Sequence, residues 1–218
     1  MPSEAGHLRT ELETWGRANR RDFPWRSEEE PFRILVAEVL LQRSRGKTVA
    51  KVYPELFRRW PTPGAMGRAR VSTIEQVIRP LGLTRRATSL RAMAAEVDRL
   101  GGVPRDLEGL LALPGVGPYA ANATLAVAFG QRAPVVDGVT ARVYRRYFGL
   151  RGDSPASTDR ELWKLVQAVT PRTRVREWNW AVLDLAALVC LPKHPRCAAC
   201  PLAEGCALAR SVDLSLPS

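Results

Sequence analysis

Apolar and polar positions alternate along this chain at three- and four-residue intervals, the spacing of one face of an α-helix. "HLRTELETWGRANR" near the start reads as an amphipathic helix, and the break "RDFPWRSEEEP" follows it. "FRILVAEVLLQRS" predicts a strongly apolar helix, and "KTVAKVYPELFRRW" a second one stopped by the turn "PTPG". In "VSTIEQVIRPLG", Ser72 and Thr73 are placed to cap a helix start. "RRATSLRAMAAEVDRLGG" predicts a long helix with a glycine stop, and "PRDLEGLLAL" a short one. The segments 120–129, 138–148, 159–169 and 177–189 carry the same period. No stretch shows period-two alternation bounded by hairpin turns. The expectation is an all-α protein of about ten short helices, without internal repeats or a long linker.

Composition narrows the function. The 218 residues are 45% hydrophobic, enough for one good core or two small ones sharing a cleft. Lysine and arginine total 33 against 22 acids, a net charge of +11. Such a surplus favours a polyanion, nucleic acid ahead of an anionic membrane, although an arginine-rich proteome would give the same balance. No run of 18 apolar residues exists, so no membrane-spanning helix is expected. The N-terminus lacks an apolar signal region, which sets the expectation of a cytoplasmic protein. With only His7 and His194, histidine acid–base chemistry is not the theme.

Three local patterns carry candidate chemistry. In "LPGVG", Pro114, Gly115, Val116 and Gly117 form a tight turn between two short helices, with Pro118 suited to a first helical turn. Exposed N–H groups of such a turn can hold a phosphate at a helix start without reading sequence, though an ordinary helix corner looks the same. Cys190, Cys197, Cys200 and Cys206 follow the pattern C-x6-C-x2-C-x5-C. Four thiolates on one loop can enclose a [4Fe-4S] cluster; zinc is the alternative, although zinc modules more often pair two CxxC knuckles. Lys193, His194 and Arg196 project between the first two cysteines as a phosphate-contacting knob. Glu38, Gln42 and Arg45 stand at i, i+4 and i+7, one face of a helix, which reads equally as a solvated stripe.

Taken jointly, "LPGVGPYAANA", "VVDGVTARVYRRYFG" and "NWAVLDLAALVCLPKHPRCAACPLAEGC" resemble the helix-hairpin-helix DNA glycosylase superfamily, in its endonuclease III and adenine glycosylase branch. The likeness runs from "FPWR" to Cys206. It implies two helical domains with DNA lying across a cleft and the target nucleotide turned out of the stack. On that pattern residues 1–30 pack with the cluster domain, 31–134 form the central domain with the hairpin at about 106–129, and 135–218 carry the cluster loop at 190–206. The implied partner is double-stranded DNA with a mismatch or lesion, bound by a monomer.

The resemblance also assigns roles. Asp137 matches the catalytic aspartate, which stabilises positive charge on the sugar and can orient water; it is also a natural helix N-cap. Tyr119 stands where bifunctional members carry a lysine, and a phenol forms no Schiff base. Tyrosine here is similar to archaeal-type mismatch thymine glycosylases, so a monofunctional enzyme is expected; packing at a helix start is the plainer use. Glu38 matches a pocket glutamate that would hydrogen-bond the leaving base, with burial keeping it protonated. Gln42 and Arg43 would enter the gap in the duplex and meet the orphan guanine, with Ser44 as a further DNA contact. Trp25, Trp178 and Trp180 are expected as core. Val139 departs from the family's usual asparagine two residues after the aspartate. The sequence shows no oxidised-guanine-reading domain after Cys206, which favours thymine or uracil opposite guanine. Adenine opposite 8-oxoguanine is the alternative substrate, and a non-catalytic iron-sulfur DNA-binding protein the alternative class.

Overall fold

The computed structural model describes residues 2–82, 85–152 and 154–211. Among them every regular element is helical and none is a strand. The chain divides into two compact units, one formed by Asp22–Phe129 and the other by Met1–Arg21 with Gly130–Ser218. Helix α1 (Pro2–Ala18) opens the chain. The continuous unit then holds α2 (Pro31–Leu41), α3 (Gly46–Arg59), α4 (Pro63–Gly67), α5 (Val71–Ile78), α6 (Arg86–Arg99), α7 (Leu107–Ala112) and α8 (Pro118–Ala128). The other unit adds α9 (Gly138–Phe148), α10 (Arg160–Val169), α11 (Val175–Leu188) and α12 (Ala207–Ser211).

In the continuous unit, α2 and α8 are apolar on nearly every face and pack against each other. A helix without a polar face belongs inside, and the burial of both follows from that. Glu30 starts α2 by accepting the N–H of Arg33 at 2.8 Å, with Pro31 in the first turn. Trp25 is buried, stacked on Phe23 at 4.8 Å and edge-on to Tyr53 at 5.8 Å, so it is core as expected. Gly101 and Gly102, both at positive φ, terminate α6.

Two local expectations fail. "PTPG" does not only stop α3: Thr62 accepts the N–H of Ala65 at 3.2 Å, and Pro63 begins α4. Ser72 and Thr73 cap nothing, because α5 begins at Val71. The Thr73 hydroxyl instead donates back to the Arg70 carbonyl at 2.7 Å, the bond such a side chain makes inside a helix.

In the discontinuous unit, α1 lies directly on α11. Gly16 permits the approach, since a Cβ there would fall 2.6 Å from the Ala181 Cβ. The core gathers Leu8 and Leu12 from α1, Tyr144 from α9, and Trp178 and Leu185 from α11. Trp180 is buried too, with the Arg20 guanidinium 4.5 Å above its ring.

Candidate active site

Asp137 is the N-cap of α9, and its two oxygens are treated differently. Oδ1 accepts the N–H groups of Val139 at 2.9 Å and Thr140 at 2.8 Å, and the Thr140 hydroxyl lies 3.1 Å away. The same hydroxyl accepts the Asp137 N–H at 3.0 Å, closing a capping box. Among the described residues, no donor reaches Oδ2. The cap therefore fixes the carboxylate's direction while one oxygen stays available, at the positive end of the α9 dipole. Asp137 is half-buried, and Val139 beside it is exposed.

The glycine turn joins α7 to α8. Asp106 caps α7 through the Gly109 N–H at 2.8 Å. Gly115 sits at φ 79, and a Cβ there would lie 2.8 Å from the Ser89 Cβ, so glycine is required twice over. Gly117, in contrast to Gly115, is extended, at φ −98, and is the N-cap of α8. Among the described residues outside its own chain neighbours, nothing lies within 4 Å of a Cβ placed there, so the space beside it is open. Val116 turns its side chain inward, Pro114 is half-buried and Gly115 exposed, so the backbone is what this turn offers outward. Tyr119, half-buried, lies in the first turn of α8.

Glu38 is on α2 and only 4% exposed, which rules out the solvated stripe. The shared face with Gln42 and Arg45 is also corrected. Helix α2 ends at Leu41, Gln42 is its C-cap, and Arg45 already caps α3. The turn between them puts Arg43 at φ 58, a left-handed conformation costing a non-glycine residue roughly 1–2 kcal/mol. Arg43 is exposed, whereas the Gln42 Nε2 is buried and, among the described residues, has no hydrogen-bond partner. The Ser44 hydroxyl accepts from Arg86 Nη1 at 3.0 Å.

The four cysteines are free thiols lining one pocket, whose apolar walls include Val143, Leu185, Val189 and Leu202. Burial pushes the Cys200 thiol up to about 11 and raises Cys197 as well. Such thiols ionise readily only beside a positive centre. Among the described residues, no three His, Cys, Asp or Glu side chains are arranged to hold a single metal ion. Four thiols on one pocket are a donor set of the kind that soft metals and iron-sulfur centres take. Two arginines of α9 clasp this loop. Arg142 donates to the carbonyls of Cys190 at 2.9 Å and Ala186 at 2.8 Å. Arg146 donates to those of Leu191 at 2.6 Å and Pro192 at 2.7 Å, and to the Cys190 sulfur at 3.5 Å. Lys193, His194 and Arg196 are exposed around it.

Sequence reasoning did not single out Thr140, Arg86, Arg142 or Arg146. Thr140 had a signal, since it stands three residues after Asp137 as a capping-box partner does. The arginines had none, because their acceptors are mostly main-chain carbonyls, which any residue supplies.

A family model described as "HhH-GPD superfamily base excision DNA repair protein" matches residues 36–168. The thymine/uracil-DNA glycosylase of Pyrobaculum aerophilum is 40% identical over 190 residues, covering 84% of this chain and 83% of that protein. The adenine DNA glycosylase of Mycobacterium tuberculosis is 38% identical, covering 88% of this chain and 65% of that protein. Among solved structures, a thermostable thymine-DNA glycosylase superposes with a TM-score of 0.90 at 32% identity, covering 97% of this chain and 99% of that one.

Proposed function

Since the chain belongs to the HhH-GPD superfamily of base excision DNA repair proteins, we propose that this DNA glycosylase hydrolyses the N-glycosidic bond of thymine or uracil opposite guanine and leaves the strand uncut. The observation that carries the reading is the split environment of Asp137, with Oδ1 tied into the cap and Oδ2 available. As the bond from C1′ to the base breaks, the electron pair leaves with the base and positive charge builds on the sugar. Oδ2 faces that charge and stabilises it, then accepts the proton of the water that adds to C1′. Glu38 donates a hydrogen bond to the departing base and stabilises the negative charge that it carries away. Tyr119 supplies no amine, so no Schiff base forms and an abasic site is the product.

Gln42 and Arg43 occupy the gap in the duplex and meet the orphan guanine through donors suited to its edge. The open space at Gly117 and the N-terminus of α8 receive a phosphate. Lys193, His194 and Arg196 add sequence-independent phosphate contacts. Cys190, Cys197, Cys200 and Cys206 would hold a [4Fe-4S] cluster, which ties their loop together when bound. A resident cluster gives a brown protein absorbing at roughly 410 nm, whereas zinc gives none.

A second substrate, adenine opposite 8-oxoguanine, is supported by the adenine DNA glycosylase relative. One experiment separates these readings. A 5′-labelled duplex carrying one T:G, U:G or 8-oxoguanine:A pair is treated with the enzyme, then with or without alkali. The proposal expects cleavage of the T:G and U:G duplexes only after alkali. Cleavage without alkali overturns the role given to Tyr119, and release only from the 8-oxoguanine:A duplex moves the specificity to adenine.

A further inference from the structure

The turn between α2 and α3 is held in an unfavourable shape by a residue far away in sequence. Arg43 occupies the left-handed region that side chains rarely adopt. Within the turn itself, the Ser44 N–H donates to the Leu41 carbonyl at 3.1 Å. The remaining bonds come from α6. Arg86 Nη1 donates to the Leu40 carbonyl at 2.8 Å and to the Ser44 hydroxyl at 3.0 Å, and Arg86 Nη2 donates to the Gln42 carbonyl. One planar guanidinium thus bridges acceptors on both sides of Arg43. A lysine ammonium cannot copy this, because its donors do not form a rigid fork.

The electrostatics agree with the geometry. Burial first, and the charge of Arg43 second, push the Arg86 guanidinium below the usual arginine range. Two like charges close together gain nothing from each other, and Arg43 is exposed to solvent. The arrangement costs the free protein something. It also leaves the Gln42 amide donor buried and unpartnered beside the same turn. Folding alone gives no reason for a strained cation and an idle donor in one short turn with a like-charged guanidinium set against it. A ligand edge rich in acceptors does.

We infer that Arg86 is a positioning residue for opposing-base selectivity: its guanidinium clasps the 42–44 turn in the one shape that presents Gln42 and Arg43 to the base opposite the excised one. This rests on the reading that those two residues meet the orphan base. Arg86 itself touches no substrate. Its effect is on how well guanine is preferred over adenine, more than on how fast the bond breaks.

The test uses single-turnover base release by the full-length protein on two duplexes, U:G and U:A. Affinity is measured in parallel for duplexes holding a tetrahydrofuran abasic analogue opposite guanine or adenine. Arg86→Met is expected to lower the U:G to U:A rate ratio about tenfold, the size of one lost two-point contact to a base. Its rate on U:A should stay within about threefold of the parent, and the guanine preference in binding should fall in step. Arg86→Lys keeps the charge but not the fork, and is expected to recover only part of the ratio. Ser44→Ala removes one acceptor and produces a smaller fall. If Arg86→Met does not fold, as judged by its melting curve, the last two variants carry the test. An unchanged ratio in all variants, or an equal loss on both substrates, overturns the inference. Failure of the parent protein to prefer U:G at all overturns the proposed function instead, so the two failures are told apart.

Discussion

Asp137 and the cysteine loop are held by opposite means. Every hydrogen bond to the Asp137 carboxylate comes from residues two or three positions further along the chain. The cysteine loop is held by guanidinium groups from 44 to 48 positions away. A local cap forms whenever its own helix forms. A long-range clasp forms only when the whole unit has folded. The candidate nucleophile-orienting group therefore has short-range support, and the loop that would carry a cofactor depends on global packing. Both meet in α9, whose first residue follows Asp137 and whose later turns supply Arg142 and Arg146.

Breaking the long-range side has the larger expected effect. Arg142→Met removes two charge-assisted bonds to carbonyls of Cys190 and Ala186. The loss should be about 2–4 kcal/mol in urea unfolding, and under the proposed cluster a chelator should strip iron from the variant sooner than from the parent. Unaltered stability and iron content would place the support of the loop elsewhere. On the local side, Thr140→Val keeps shape but opens the capping box, at a cost of about 1 kcal/mol. Base release should fall more than DNA binding, because the carboxylate loses a constraint and the surface does not change. Equal losses in both would mean that Thr140 serves the fold alone.

The smallest effect belongs to Asp159, which caps α10 through the Leu162 N–H at 3.0 Å and pairs with Arg145 at 2.6 Å. The Arg145 guanidinium first, and the Leu162 N–H second, hold its carboxyl below the usual aspartate range. A lowered folded-state pKa adds stability that is present above the unfolded value and lost as pH falls through the folded one. Asp159→Asn keeps the cap but not the charge. It should melt slightly below the parent at neutral pH, and the gap should begin to close below about pH 4 and vanish once pH has fallen through the lower folded-state value. A gap that persists in acid would show that the charge is not its source.

Much of the all-helical fold was legible in sequence because the apolar period of α3, α9 and α10 is strong and their stops are marked by glycine or proline. The failures share a cause. Pro63 and Gly64 read as a turn, yet proline is equally at home in a first helical turn, and Thr62 capped it. The face joining Glu38, Gln42 and Arg45 assumed a helix that runs on, but α2 stops at Leu41 without a glycine or proline to announce it. Asp137 was legible because capping and candidate chemistry sit on the same local motif. The roles of Arg86, Arg142 and Arg146 were not, since a guanidinium bonding to main-chain carbonyls leaves no pattern at the accepting end.

The most direct measurement is single-turnover release of base from a U:G duplex by Asp137→Asn, paired with its affinity for the same DNA. Asparagine caps a helix as well as aspartate does, so α9 and the fold should persist. The expected result is a drop in base release on the order of 10²–10⁴-fold, with affinity within a few-fold of the parent. Release within tenfold of the parent, at unchanged affinity, would contradict a reaction that depends on the free oxygen of Asp137.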